Sequence, residues 1–109
     1  MDLMNSVSIA DYKEAGARIF TDRDTGVRAR KELELDKLEK IGKIIVLLPE
    51  DTWGVNPSFF GGMFESSIKS MGDKFHQNYA FQYVDGTELN ESLRENIDSD
   101  YDYVMRGLN

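Results

Sequence analysis

The chain predicts a single α/β domain, in which an N-terminal hairpin precedes a mixed, largely parallel sheet with about three helices packed on it. Three observations carry that expectation. The run Ile44-Ile45-Val46-Leu47-Leu48 has the unbroken apolar character of a strand inside a parallel sheet. Segments of helical period flank it, one from Thr21 or Asp22 to about Lys40 and one from Pro57 to about Met71. Tyr79, Phe81 and Tyr83 then alternate with Ala80, Gln82 and Val84, the period of a strand with one aromatic face. Strands separated by helices need crossover connections, which join parallel neighbours.

Taken in order, Val7 with Ile9 and Ile19 with Phe20 read as two short strands joined by a turn through Lys13–Gly16, forming the hairpin. Thr21 or Asp22 supplies an N-cap oxygen for the first helix, and Gly42 stops it. On a helical wheel Val27, Leu35, Leu38 and Ile41 share one side, with Ala29 and Leu33 off that stripe. Lys43 to Leu48 is expected as the central strand, buried on both faces and ended by Pro49. Glu50 to Gly54 reads as a loop.

Asn56-Pro57 then restarts order, because asparagine is a favoured N-cap and proline suits the first helical turn. Phe60, Met63, Phe64, Ile68 and Met71 make this second helix a main core element, closed by Gly72. Gly61 and Gly62 each cost about 1 kcal/mol of helix propensity, which points to close backbone packing, for example against the sheet. After the aromatic strand, Leu89, Leu93 and Ile97 form a third helical stripe capped by Asp85 or Thr87. Asp98-Ser99 restarts a last turn through Tyr101, Val104 and Met105.

With 109 residues the chain holds one core rather than two, so residues 1–109 are expected as one domain. A net charge of −7 disfavours nucleic acid as a partner, since phosphate binding needs a concentrated basic surface. The absence of cysteine removes disulfides, thiolate metal sites and cysteine nucleophiles, which fits a cytoplasmic location. Neither an export segment nor a membrane span is expected from the apolar runs.

The stretch Ile44–Phe64 holds the candidate site. Ser58 lies at a helix start, where a phosphate would meet free N–H groups and the positive end of the dipole; the blander role is completing the cap. Trp53 and Phe59 form an aromatic recognition rim if both are exposed, the alternative being Trp53 folded over the core. Arg23 suits a carboxylate or a partner phosphate, or a clamp within the fold. His76 reads as a solvated loop residue, and Glu50/Asp51 and Asp98/Asp100/Asp102 as solvated charge rather than a cation site. Gly61-Gly62 lacks the lysine and hydroxyl of a phosphate loop.

Phe20-Thr21-Asp22-Arg23 with Gly26 resembles the opening of the first helix in the STAS-like domain family of unknown function. Ile44-Ile45-Val46 followed by Val55-Asn56-Pro57-Ser58-Phe59 resembles that family's strand and Ser-Phe turn. The resemblance spans residues 5–105. It implies a STAS-like fold similar to anti-sigma factor antagonists, which act by binding a protein, often a histidine-kinase-like ATPase. It also implies that Ser58 is the phosphoacceptor position, although Asn56-Pro57 and Phe59 replace the acidic, serine and glycine positions of the antagonist turn.

The expected function is therefore a non-enzymatic regulatory module, with no cofactor or metal. It would bind a protein partner through Arg23, Trp53, Asn56, Ser58 and Phe59. The alternatives are a small enzyme or nucleotide-binding domain with its ligand at the strand C-terminal ends, and an acidic decoy protein that blocks a basic surface.

Overall fold

The computed structural model describes residues 5–108. In chain order the elements are β1 Asn5–Ser8, β2 Ile19–Phe20, α1 Arg23–Glu32, α2 Leu35–Glu39, β3 Ile44–Leu48, β4 Gly54–Val55, α3 Pro57–Met71, α4 Phe75–Asn78, β5 Tyr79–Tyr83 and α5 Glu91–Gly107. The fold is α/β, with β3 at the centre of a parallel sheet ordered β1-β3-β5, and β2 and β4 forming a second, two-stranded parallel sheet.

The N-terminal hairpin is not formed. β1 pairs with β3 and β2 with β4, so Val7 and Phe20 sit in different sheets. The long apolar β3 buries more of β1 than a two-residue β2 would. The connecting segment is held elsewhere: Tyr12 is buried, its hydroxyl donates to Glu32 of α1 at 2.9 Å, and the Arg28 guanidinium lies over its ring. Burial first, and then the Glu32 hydrogen bond, raises the Tyr12 pKa.

Each crossover, β1 to β3 and β3 to β5, steps the same way across the sheet, so two right-handed connections put their helices on one face. α3 packs there between α1 and α5. The core lies under this layer: Ile44, Val46 and Leu48 are fully buried, as are Phe60, Met63 and Phe75. β3 is not buried on both faces as expected, because Ile45 and Leu47 point to the other side and are only half-buried. In register with them stand Ser6, Ser8 and Ala80, all exposed, and Gln82. One face of the sheet is bare.

The expected helix to Lys40 breaks at Glu34, whose left-handed backbone (φ 56°) separates α1 from α2. The break turns Leu35 into the core, and the single stripe fails with it: Val27 and Ile41 are exposed, while Gly26 and Ala29 are buried. The second helix forms as expected, with the Asn56 side chain accepting from the Ser58 N–H at 2.8 Å and Gly72 closing it at φ 58°. Its glycines meet helices rather than the sheet. A Cβ on Gly62 would collide with the Arg23 carbonyl and one on Gly26 with the Phe59 carbonyl, while Gly61 faces Arg23 and Val104. Bare backbones thus let α1 and α3 touch.

α5 is one continuous helix capped by Asn90, whose side chain accepts from the Leu93 N–H at 2.8 Å. Asp85 and Thr87 instead bond to each other in the turn before it, and Asp98-Ser99 interrupts nothing. No helix among the described residues is long and apolar enough to cross a membrane.

Candidate functional site

The strand-turn-helix singled out in the sequence lies beyond the C-terminal end of β3. After Leu48 the chain turns through Pro49, the Thr52 N–H donating to the Pro49 carbonyl at 3.1 Å, and then joins the small sheet. Trp53 stands at the entrance to that sheet and is 68% exposed. Its backbone is nonetheless fixed, since its N–H donates to the Arg18 carbonyl at 2.6 Å and the Arg18 guanidinium sits 4.8 Å from its ring centroid. Ile19, 44% exposed, joins it along a shallow cleft of about 390 Å³ with Glu14, Ala17, Arg18 and Thr21. A large apolar side chain left in water on a fixed backbone can bury well over 100 Å² against a partner at little entropic cost.

Phe59 does not share this surface. It is 1% exposed and packs on Phe20 with ring centroids 5.2 Å apart, so the expected aromatic rim reduces to Trp53. The helical phase explains the difference: Phe59 and Phe60 both face inward, Phe59 toward β2 and Phe60 toward Phe64, Phe75 and Phe81. Asn56 and Ser58 are exposed at the start of α3, the Asn56 side chain being occupied as the cap. Arg23 donates to Glu65 at 2.7 Å, linking α1 to α3. With both side chains about half exposed, that pair contributes at most about 1 kcal/mol.

Asn96 of α5 supports the site from behind. Its side chain accepts from the Val55 N–H at 2.9 Å and donates to the Val55 carbonyl at 2.9 Å, imitating a neighbouring strand along β4. It also donates to Asp100 at 3.2 Å. Asp100 is 2% exposed rather than solvated, and burial pushes its carboxyl up to about 7, the Asn96 hydrogen bond opposing the rise. Leu93, Ile97, Asp100 and Val104 follow helical spacing, so a carboxylate sitting on an apolar stripe was the sequence signal that marked it.

A second polar cluster was missed altogether. Arg30 donates to the Met63 carbonyl at 2.9 Å, to Ser67 at 2.7 Å and to Asp36 at 2.5 Å. Ser67, which is fully buried, donates in turn to Glu39, which also accepts from the Tyr79 hydroxyl at 2.5 Å. Burial, and then the Glu39 hydrogen bond, raises the Tyr79 pKa. The cluster ties α1, α2 and α3 to the start of β5, at the end of the sheet remote from Trp53, and it closes on itself as a structural clamp.

His76 lies in α4 rather than in a loop, exposed and packed on Tyr101 with centroids 4.3 Å apart. Asp98 and Asp102 are exposed. Among the described residues no group of three or more histidine, aspartate or glutamate side chains is arranged to hold a metal ion. No protein-family model, curated protein or solved structure matches this chain.

Proposed function

We propose that the chain is a regulatory protein-interaction module that acts by binding rather than by catalysis, its partner docking on Trp53. The observation that carries this reading is the combination of high exposure and fixed geometry at Trp53, flanked by exposed Ile19. An exposed tryptophan on a flexible loop would pay ordering entropy on binding; one whose backbone is already bonded to Arg18, just before β2, pays less. Ser58 and Asn56 lie a few residues further on, exposed at the start of a 15-residue helix. A phosphate on Ser58 would there meet the positive end of the helix dipole and alter the charge beside the docking surface. That role rests on the STAS-like resemblance, which also suggests a histidine-kinase-like ATPase as the partner.

The test is a binding titration against such a kinase with Trp53→Ala, followed by incubation with ATP and mapping of phosphate by mass spectrometry. Trp53→Ala is expected to weaken binding at least about tenfold, as hot-spot truncations do. It should leave thermal stability unchanged, because the side chain is mostly in water. Undiminished binding by the variant refutes the surface, and phosphate absent from Ser58 in a kinase-bound sample refutes the switch.

A further inference from the structure

The sheet edges of this protein are treated unequally. The far side of β5 is occupied by its own turn, with the Tyr83 N–H donating to the Thr87 carbonyl at 2.9 Å and Gln82 bridged to Glu88. The far side of β4 is closed by the Asn96 side chain. β2 is only two residues long. The four-residue β1 has β3 on one side and, among the described residues, no strand on the other.

Alternation along β1 decides which of its backbone groups are free. The N–H groups of Asn5 and Ile9 point into the sheet, donating to the Lys43 and Leu47 carbonyls at 2.9 and 3.1 Å. The N–H and C=O groups of Ser6 and Ser8 therefore point outward. Natural edges of this kind are usually guarded by a lysine, a proline, a bulge or a covering element. Asn5-Ser6-Val7-Ser8 carries no charge and no proline, and pairs with β3 in unbroken register.

We infer that β1 is a self-association edge, at which two copies of this chain pair antiparallel through Ser6–Ser8 about a two-fold axis at Val7. The occupant is a second copy because the segment is its own complement. The outward groups of Ser6 and Ser8 flank Val7 symmetrically, so Ser6 of one copy exchanges both backbone bonds with Ser8 of the other, and Ser8 with Ser6. The facing side chains are small and neutral, so no bulk or like charge opposes the approach. The row of buried Val7 and Val46 and half-buried Phe81 continues across the axis into the same row of the second copy, giving a six-stranded sheet with both helical layers on one side. The net charge of −7 lies outside this strand, so added salt should strengthen the dimer by screening long-range repulsion.

The register makes a test specific to this arrangement. Paired Ser6 and Ser8 positions would have Cα atoms about 5.5 Å apart, within disulfide range, whereas two Ser6 positions would lie diagonally beyond it. The chain has no native cysteine to compete. Mild oxidation of an equimolar mixture of Ser6→Cys and Ser8→Cys chains is expected to give a disulfide-linked heterodimer, and either variant alone to give none. Sedimentation of the unmodified protein should show a concentration-dependent dimer, weakened about tenfold by Ser6→Pro, which removes one outward donor per copy. A chain that stays monomeric up to about 1 mM, far above specific dimer affinities, overturns the inference. A dimer that links through neither pairing, or in which Ser6→Cys links to itself, overturns it equally.

Discussion

Replacing Gly62 by alanine tests the close approach of α1 and α3 on which the helical layer depends. An added Cβ would sit well inside 3.0 Å of the Arg23 carbonyl oxygen, and that oxygen belongs to backbone, which cannot swing away. The helices would have to part by on the order of 1 Å, loosening Ala29, Phe59 and Met63 along the seam at an overpacking cost of about 1–3 kcal/mol or more. Alanine returns about 1 kcal/mol of helix propensity. The net expectation is a loss of up to about 2 kcal/mol, a large share of the stability of a domain this size. Gly61→Ala is the control one position away: its Cβ meets the end of the flexible Arg23 side chain at 3.2 Å, so it keeps the propensity gain and should be neutral or stabilising. Urea unfolding followed by circular dichroism reads both midpoints. Equal midpoints for Gly62→Ala and Gly61→Ala would refute the argument, since propensity alone cannot tell the two glycines apart.

Asp100 makes stability depend on pH. Its carboxyl is raised to about 7 in the fold against an ordinary value of 3.8, so between these values the native state holds a proton that the unfolded state gives up. The contribution is fully present below about pH 4 and is lost as pH rises through about 7. Asp100→Asn should therefore match the parent near pH 4 and exceed it by about 1–3 kcal/mol at pH 8; parallel melting curves across that range would contradict this origin. Glu39→Ala should cost about 3–5 kcal/mol, because it strands the buried Ser67 and Tyr79 hydroxyls and leaves Arg30 with Asp36 as its remaining carboxylate. A thermal midpoint unchanged in Glu39→Ala would show that the cluster does not hold the start of β5.

Much of the fold was legible because local and tertiary demands agree. Asn56-Pro57 and Gly72 bound α3 in the sequence and in the structure, and the apolar run Ile44–Leu48 is the central strand. The failures share a cause, which is that a pattern within one segment does not say what lies across from it. Ile19-Phe20 looks like a hairpin partner for Val7 until β3 takes that place. The break at Glu34 could not be read from Leu35 and Leu38, since nothing local demands a left-handed residue there. Phe59 was misplaced on the surface because two successive phenylalanines at a helix start leave open which of them faces in. Asp100 was misread for the opposite reason: its position on the Leu93–Val104 stripe was visible, and its charge outweighed its place.

The one-sided helical layer gives the surfaces of this protein their division. Because both crossovers run the same way, the sheet keeps a bare face, and parallel sheets seldom leave one. The residues that meet water there limit the cost: Ser6, Ser8 and Ala80 surround Ile45 and Leu47, so little apolar area is lost to solvent. Trp53 and Ile19 form an exposed apolar patch elsewhere, beside the small sheet, along a cleft that includes no residue of β1. Pairing at β1 would therefore leave the Trp53 surface of each copy free, and a dimer would offer two identical docking sites. A partner that is itself two-fold would bind such a dimer with avidity that neither site has alone, provided the two surfaces lie within its span. Specificity would then reside in Trp53 and strength in β1, two features separable by substitution because they share no side chain.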